Sequence, residues 1–235
     1  MHLGFNKINV IFDIEGILIN ESRLRVGKGG LPSLGVGVDA ETIKTLKESE
    51  YIPYIPGSSI KGALRAYVER ILRSEGQEVH DPWDWDSIER EKEEPCLVCR
   101  LFGNTYWSSH IYVFDAYPLT KPRLEVKTGV GIDRFLGGAK ARVLYDEEYV
   151  APGCRWNFKM KIFNVDLRED SEEARLVKSC LKALCAGLIQ LGARKSTGMG
   201  LIKLLAKETR VNEWRVKELE LCKVSEISLS EILEV

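Results

Sequence analysis

The sequence contains no apolar run near the ~18 residues that a membrane span requires. It has no uninterrupted apolar leader either. In MHLGFNKINVIFDIEGILIN, Asp13 and Glu15 interrupt the stretch, which reads as a strand. A soluble, cytoplasmic chain without membrane contact is predicted. Net charge is almost absent, with 34 Lys and Arg against 35 Asp and Glu, which argues against indiscriminate nucleic-acid binding. Histidine is scarce: His2, His80 and His110 are the three present, and none sits in a nucleophile motif, so no Ser/His/Asp hydrolase is indicated. Internal repeats and low-complexity linkers are absent, which excludes a solenoid. Six cysteines without a secretory signal do not form a disulfide framework, and among them Cys96 and Cys99 alone have C-x-x-C spacing.

What is present suits a globular fold. A chain of 235 residues that is 44% hydrophobic and 29% charged can bury one large core. Its charge is unevenly placed. Lys121 to Lys161 holds nine basic residues against five acidic ones, whereas Glu78 to Glu94 holds eight acids against Arg90 and Lys92. The first region suits a polyanion; both also fit ordinary solvated surface. Val10, Phe12 and Ile14 alternate with Asp13 and Glu15, and Trp156, Phe158, Met160 and Ile162 alternate with Asn157, Lys159 and Lys161, the period of half-buried strands. Strands are also predicted over 110–117, 124–131, 143–150, 201–206 and near 214–224. Ile60, Leu64, Tyr67 or Val68, and Ile71 predict a helix with Ser58 as N-cap, ending at Gly76. Val177, Leu181, Leu184 and Leu188 predict a second, over 171–191, capped by Asp170. The order predicts an α+β fold with a ferredoxin-like, RRM-like β-α-β-β-α-β core, a long first loop, an insertion and a protruding hairpin.

Four segments carry chemistry. PGSSIKGALR places Gly57, Ser58, Ser59, Lys61 and Arg65 at a helix start, where unpaired N–H groups suit a phosphate; an ordinary capped helix with solvated cations reads as well. LGARKSTGMG sets Arg194, Lys195 and Ser196 among glycines that allow close backbone approach to a polyanion, or make a tight helix-to-strand turn. It lacks the P-loop order. GVGIDRFLGGAKAR combines Arg134 with an aromatic on a projecting loop, as a nucleic-acid clamp needs, although Asp133 and Arg134 also fit a local ion pair. HDPWDWD…CLVCRLFG offers His80, Cys96 and Cys99 for structural zinc, with Cys154, Cys222, Asp81 or His110 as candidate fourth ligands.

GVGVDA, YIPYIPGSSIKGALR, CRLFGN, TGVGIDRFLGGA with LYDEEYVAPG, and GARKSTGMG, in that order, resemble the RAMP superfamily of CRISPR-associated proteins, most nearly the backbone subunits of type III effector complexes. The resemblance covers residues 8 to about 206. While the zinc-binding lid at 77–100 is read from the residues of the acidic insertion themselves, the resemblance implies a single RAMP domain over 1–235 with a thumb hairpin at 123–153. It implies an antiviral-defence role in which the chain multimerises as a filament on CRISPR RNA beside other CRISPR-associated subunits. The PGSSIKG start and the glycine-rich turn would hold the guide, and the IDRFLGGA loop would displace one base pair per subunit. Asp39 matches the aspartate that cleaves guide-paired, single-stranded target RNA, with magnesium or as general base. A binding-only subunit and a guide-processing RAMP endoribonuclease remain as alternatives. The latter usually employs an early-loop histidine, and none lies between His2 and His80. A surface aspartate capping a helix-like segment over 40–47 is the plain alternative for Asp39 itself.

Overall fold

The computed structural model describes residues 6–29, 37–92 and 94–234. Its strands and helices run β1 (Val10–Asn20), β2 (Lys44–Lys47), β3 (Glu50–Pro53), α1 (Gly57–Ser74), α2 (Trp85–Arg90), α3 (Leu97–Phe102), β4 (Ile111–Val113), β5 (Leu124–Ile132), β6 (Ala139–Val150), β7 (Arg155–Phe163), α4 (Glu172–Cys185), β8 (Ile202–Leu204), β9 (Arg210–Lys217), β10 (Glu220–Ser228) and α5 (Leu229–Leu233). The fold is mixed α+β with antiparallel sheets. No helix among the described residues is long and apolar enough to cross a membrane.

The main sheet has the order β10-β9-β1-β7-β4, with β8 also paired to β1. The alternating pattern of β1 and β7 sets their register from Ile11↔Phe163 to Ile19↔Arg155. Phe12, Ile14, Leu18, Trp156, Phe158, Met160 and Ile162 are buried on one face. On the other, Lys159 pairs with Glu15, and Lys159 and Lys161 each lie 3.8 Å from Asp13. Helices α1 and α4 cover the apolar face with the residues their 3.6-residue period places there, Ile60, Leu64 and Val68 from α1 and Val177, Leu181 and Leu184 from α4. At the end of β1 the buried Asn20 accepts from Trp156 Nε1 (3.0 Å) and donates to Ala151 O (2.9 Å), which satisfies both polar side chains inside the core.

Several boundaries differ from expectation for local reasons. Ser58 does not cap α1 but lies inside it: Pro56 is the N-cap, without a side-chain bond, and the Gly57 N–H donates to Asp115 Oδ1 at 2.8 Å. Ser171, not Asp170, caps α4 through Ala174 N–H, and α4 stops at Cys185, short of 191. The strand expected near 214–224 is a hairpin, β9–β10. Its turn residues Glu218 and Leu219 adopt positive φ without the Asn or Gly that signals such turns. No helix occupies 40–47. Lys44–Lys47 instead pairs with Glu50–Pro53 as a hairpin turning at Glu48 and Ser49, both at positive φ. Strands β5 and β6 form a separate two-stranded sheet that pairs from Leu124↔Val150 out to Ile132↔Ala139. At its tip Asp133 Oδ1 accepts from Phe135 and Leu136 N–H, so Asp133 closes the turn beside Arg134, and Phe135 is 97% exposed.

Candidate nucleic-acid interface

The Asp39 segment is stitched onto β6. Asp39 and Ala40 N–H both donate to Asp146 O (2.9 and 3.2 Å), Glu148 N–H donates to Ala40 O (2.9 Å), and Asp146 N–H donates to Asp39 Oδ2 at 2.7 Å. The exposed Asp39 carboxylate therefore grips the hairpin root and caps no helix. Behind it, Thr42 Oγ1 donates to Glu148 O, and Lys44 Nζ lies 2.8 Å from Glu148 Oε2.

The glycine-rich turn reaches the same root from the other side. Ala193 N–H donates to Arg25 O (2.9 Å) and Gly200 N–H to Arg23 O (2.8 Å), while Leu24 exchanges backbone bonds with Val150. Gly192 and Gly200 have φ of +75° and +79°, and a Cβ would lie 2.1 Å from Arg25 O at the first and 1.9 Å from Leu191 O at the second. Gly192→Ala is expected to cost about 1–3 kcal/mol. At roughly 2–4 °C per kcal/mol for a chain of this size, a thermal melt would read it, and an unshifted midpoint would show that the turn relaxes.

Arg194 opens a short 3₁₀ turn at Lys195–Thr197 and itself adopts φ +59°. Its guanidinium bonds Glu147 Oε1 (3.1 and 3.2 Å) and lies 4.9 Å above the Tyr145 ring. A groove between turn and hairpin is lined by Lys127, Thr128, Tyr145, Arg194, Thr197 and Met199. Lys195 and Ser196 are exposed, and Lys195 shares a second groove with Arg70 and Arg73 of α1. Sequence reasoning passed over these two arginines, although three-residue spacing on a helix sets them on one side.

The α1 start behaves differently. With Gly57 N–H given to Asp115, a carboxylate already stands at the helix N-terminus, and Ser58 and Ser59 follow it outward. Burial and then the neighbouring Arg65 pull the Lys61 pKa down. Arg65, expected beside a phosphate, instead spans from α1 toward α3: it donates to Glu69 Oε1 (2.9 Å), Gly103 O (3.0 Å) and Cys99 Sγ (3.7 Å).

His80, Glu91 and Cys96 form a separate cluster, with ligand atoms all within 4.8 Å of one another. Glu91 is only 2% exposed, accepts from Cys96 N–H (2.9 Å) and Asn104 Nδ2 (3.1 Å), and pairs with His80 Nδ1. Burial opposes its charge, but hydrogen bonds from Cys96, Cys99 and His80 outweigh that and hold its pKa at about 2. Hydrogen bonding from Cys99 draws Cys96 down to about 6, and its bond to Cys96 together with burial pushes Cys99 up. None of the four candidate fourth ligands belongs to this cluster. Asp81 caps Trp83 N–H, His110 bonds Phe163 O, Cys154 contacts Arg155 O, and Cys222 sits on β10. Glu91 stands beside His80 and Cys96 instead. One nitrogen, one carboxylate oxygen and one sulfur are donors that zinc accepts, so His80, Glu91 and Cys96 fit the ion, while Cys99 Sγ, which accepts from Arg65, lies outside that cluster. Nothing local marked Glu91 among eight acids in its stretch.

The chain matches the family model described as "RAMP superfamily" over residues 20–203. It is also 27% identical over 207 residues to the "CRISPR system Cms endoribonuclease Csm3" of Methanocaldococcus jannaschii, an alignment covering 81% of this chain and 77% of the relative. With the family match running from the end of β1 into β8, across the stitched loop, the hairpin and the glycine-rich turn, the chain belongs to the RAMP superfamily.

Proposed function

We propose that the chain is the CRISPR RNA-binding backbone subunit of a type III effector complex and cleaves target RNA paired to that guide. The observation that carries the reading is the convergence on the hairpin root of Asp39, held on Asp146, and Arg194, held on Glu147. The relative's printed name, an endoribonuclease of a CRISPR system, supports the same reading. In this reading 1–235 is a single RAMP domain. Its core is ferredoxin-like, supported by the order β8-β1-β7-β4 with α1 and α4 at the two crossovers. Residues 123–153 are the thumb, with exposed Phe135 and Leu136 beside Arg134 at its tip, and 77–100 is a lid held by zinc on the clustered His80, Glu91 and Cys96, with Cys99 turning in as the fourth ligand. Copies associate as a filament on the guide with other CRISPR-associated subunits.

RNA brings its own nucleophile. The 2′-hydroxyl oxygen attacks the adjacent phosphorus, the bond from phosphorus to O5′ breaks, and O5′ takes a proton from water. Asp39 accepts the hydroxyl proton and orients the sugar, while Arg194 and Lys195 hold flanking phosphates. Magnesium, when bound with the RNA, supplies neutralisation of the phosphate charge.

One observation favours the binding-only alternative. Asp39 Oδ2 already has a structural partner, the Asp146 N–H. The histidines give no matching support to guide processing: His80 pairs with Glu91, His110 bonds Phe163 O, and His2 lies outside the described residues. Sequencing the RNA that copurifies with the chain tests the guide-binding reading, which random cellular RNA would overturn. Arg194→Glu with Lys195→Glu is expected to weaken RNA binding across sequences and to flatten its salt dependence by about 0.7 per lost phosphate contact. An unchanged slope would remove that turn from the interface.

A further inference from the structure

We infer that Glu147 is a positioning residue that keeps the phosphate-holding turn in register with the Asp39 loop; the inference rests on the RNA-binding reading above. Glu147 follows Asp146, whose backbone holds Asp39, and its own Oε1 lies 3.2 Å from Arg25 Nη2 and 3.1 Å from Arg194 Nη2. One carboxylate oxygen thus serves guanidiniums from two separate segments. The side chains of Glu147 and Arg25 are only 12% and 13% exposed, while that of Arg194 is 40% exposed and reaches the groove. In this partly desolvated setting the attraction is stronger and less screened than for a pair in open water.

The arrangement has a cost for binding. Two arginines against one glutamate leave a single positive charge for a phosphate, and Glu147 competes with that phosphate for Arg194. A device evolved only for tight RNA binding would omit the carboxylate. What Glu147 contributes is geometry. Without it, two like charges face each other where the turn meets the hairpin root. Arg194, a non-glycine residue at φ +59°, also loses its carboxylate partner and keeps only the Tyr145 ring under its guanidinium. Through Asp146 the same stretch of β6 sets where Asp39 stands. Glu147 therefore fixes the distance between a phosphate on Arg194 and the Asp39 carboxylate, which is the spacing that decides the phosphodiester presented for cleavage.

The test uses the full chain in its wild-type form and as Glu147→Gln, Glu147→Asp and Arg194→Ala. Binding of a labelled single-stranded RNA is titrated against salt. Magnesium-dependent, single-turnover scission of the complementary RNA annealed to that strand is followed with the cut positions mapped. Glu147→Gln is expected to bind RNA more tightly at low salt, its salt slope steeper by about 0.7 for each cation released to phosphate. Its scission rate is expected to fall roughly ten-fold or more, with blurred cut sites, because displacement near 1 Å can cost up to ~10²-fold. Glu147→Asp, which restores the charge, should recover the wild-type slope and part of the rate. This split, binding up and turnover down, is one that a merely structural ion pair does not produce. If Glu147→Gln lowers affinity, rate and melting temperature together, or leaves slope and cut sites unchanged, the positioning role is overturned. If the wild-type chain binds RNA but does not cut, the cleavage part of the proposed function fails and the spacing role of Glu147 is overturned with it. If it binds no RNA, the proposed function itself fails, a result distinct from any of these.

Discussion

Asp39→Asn is expected to abolish magnesium-dependent scission of guide-paired RNA, with a loss of about 10²-fold or more for a group that handles the transferred proton, while RNA affinity and melting temperature stay near wild type. The structure makes asparagine the informative substitution. Asp39 Oδ2 accepts from Asp146 N–H at 2.7 Å, and an amide oxygen can accept the same bond, so the loop stays on β6 while the charge is lost. Asp39→Ala removes both the charge and the acceptor. It should add a structural penalty of about 1 kcal/mol, the typical net worth of such a hydrogen bond. A wild-type cutting rate in the asparagine variant would show that Asp39 only anchors the loop and would leave the binding-only reading standing. Equal loss of RNA affinity in both variants would likewise assign Asp39 to structure.

The second large effect concerns the insertion. Purified protein is expected to contain about one zinc per chain, and chelation should lower its melting temperature, since a small segment of this composition cannot form a sufficient apolar core unaided. Glu91→Gln and Cys96→Ser should each reduce the zinc content. Glu91→Ala should be the most destabilising of these, on the order of 3 kcal/mol, because it leaves His80, Cys96 N–H and the Asn104 amide without their buried acceptor. Its effects should extend toward α1, where Arg65 bridges Cys99 Sγ to Glu69. Protein without zinc, melting identically before and after chelation, would refute the metal and leave Glu91 as a buried hydrogen-bond acceptor.

The sequence by itself determined the parts of this protein that depend on periodicity and local chemistry. Alternation wrote β1 and β7, and 3.6-residue stripes wrote α1 and α4, because those patterns give each element one apolar face to bury. The order of its glycine-rich and basic motifs carried the family resemblance. Tertiary structure decided which faces and charges meet, and there sequence separation hides the partners. Asp39 is held 107 residues away on Asp146, and neither an N-cap pattern nor loop composition could show that an extended segment would add to a hairpin. Glu91 looked like one solvated acid among many until the packing of α2 and α3 enclosed it. Arg65 and Arg194 are the same residue type in similarly small-residue surroundings. The fold commits the first to a protein scaffold and leaves the second at the edge of a groove. A charged side chain's role is set by what desolvates and pairs it, and that is a property of the folded surroundings rather than of its neighbours along the chain.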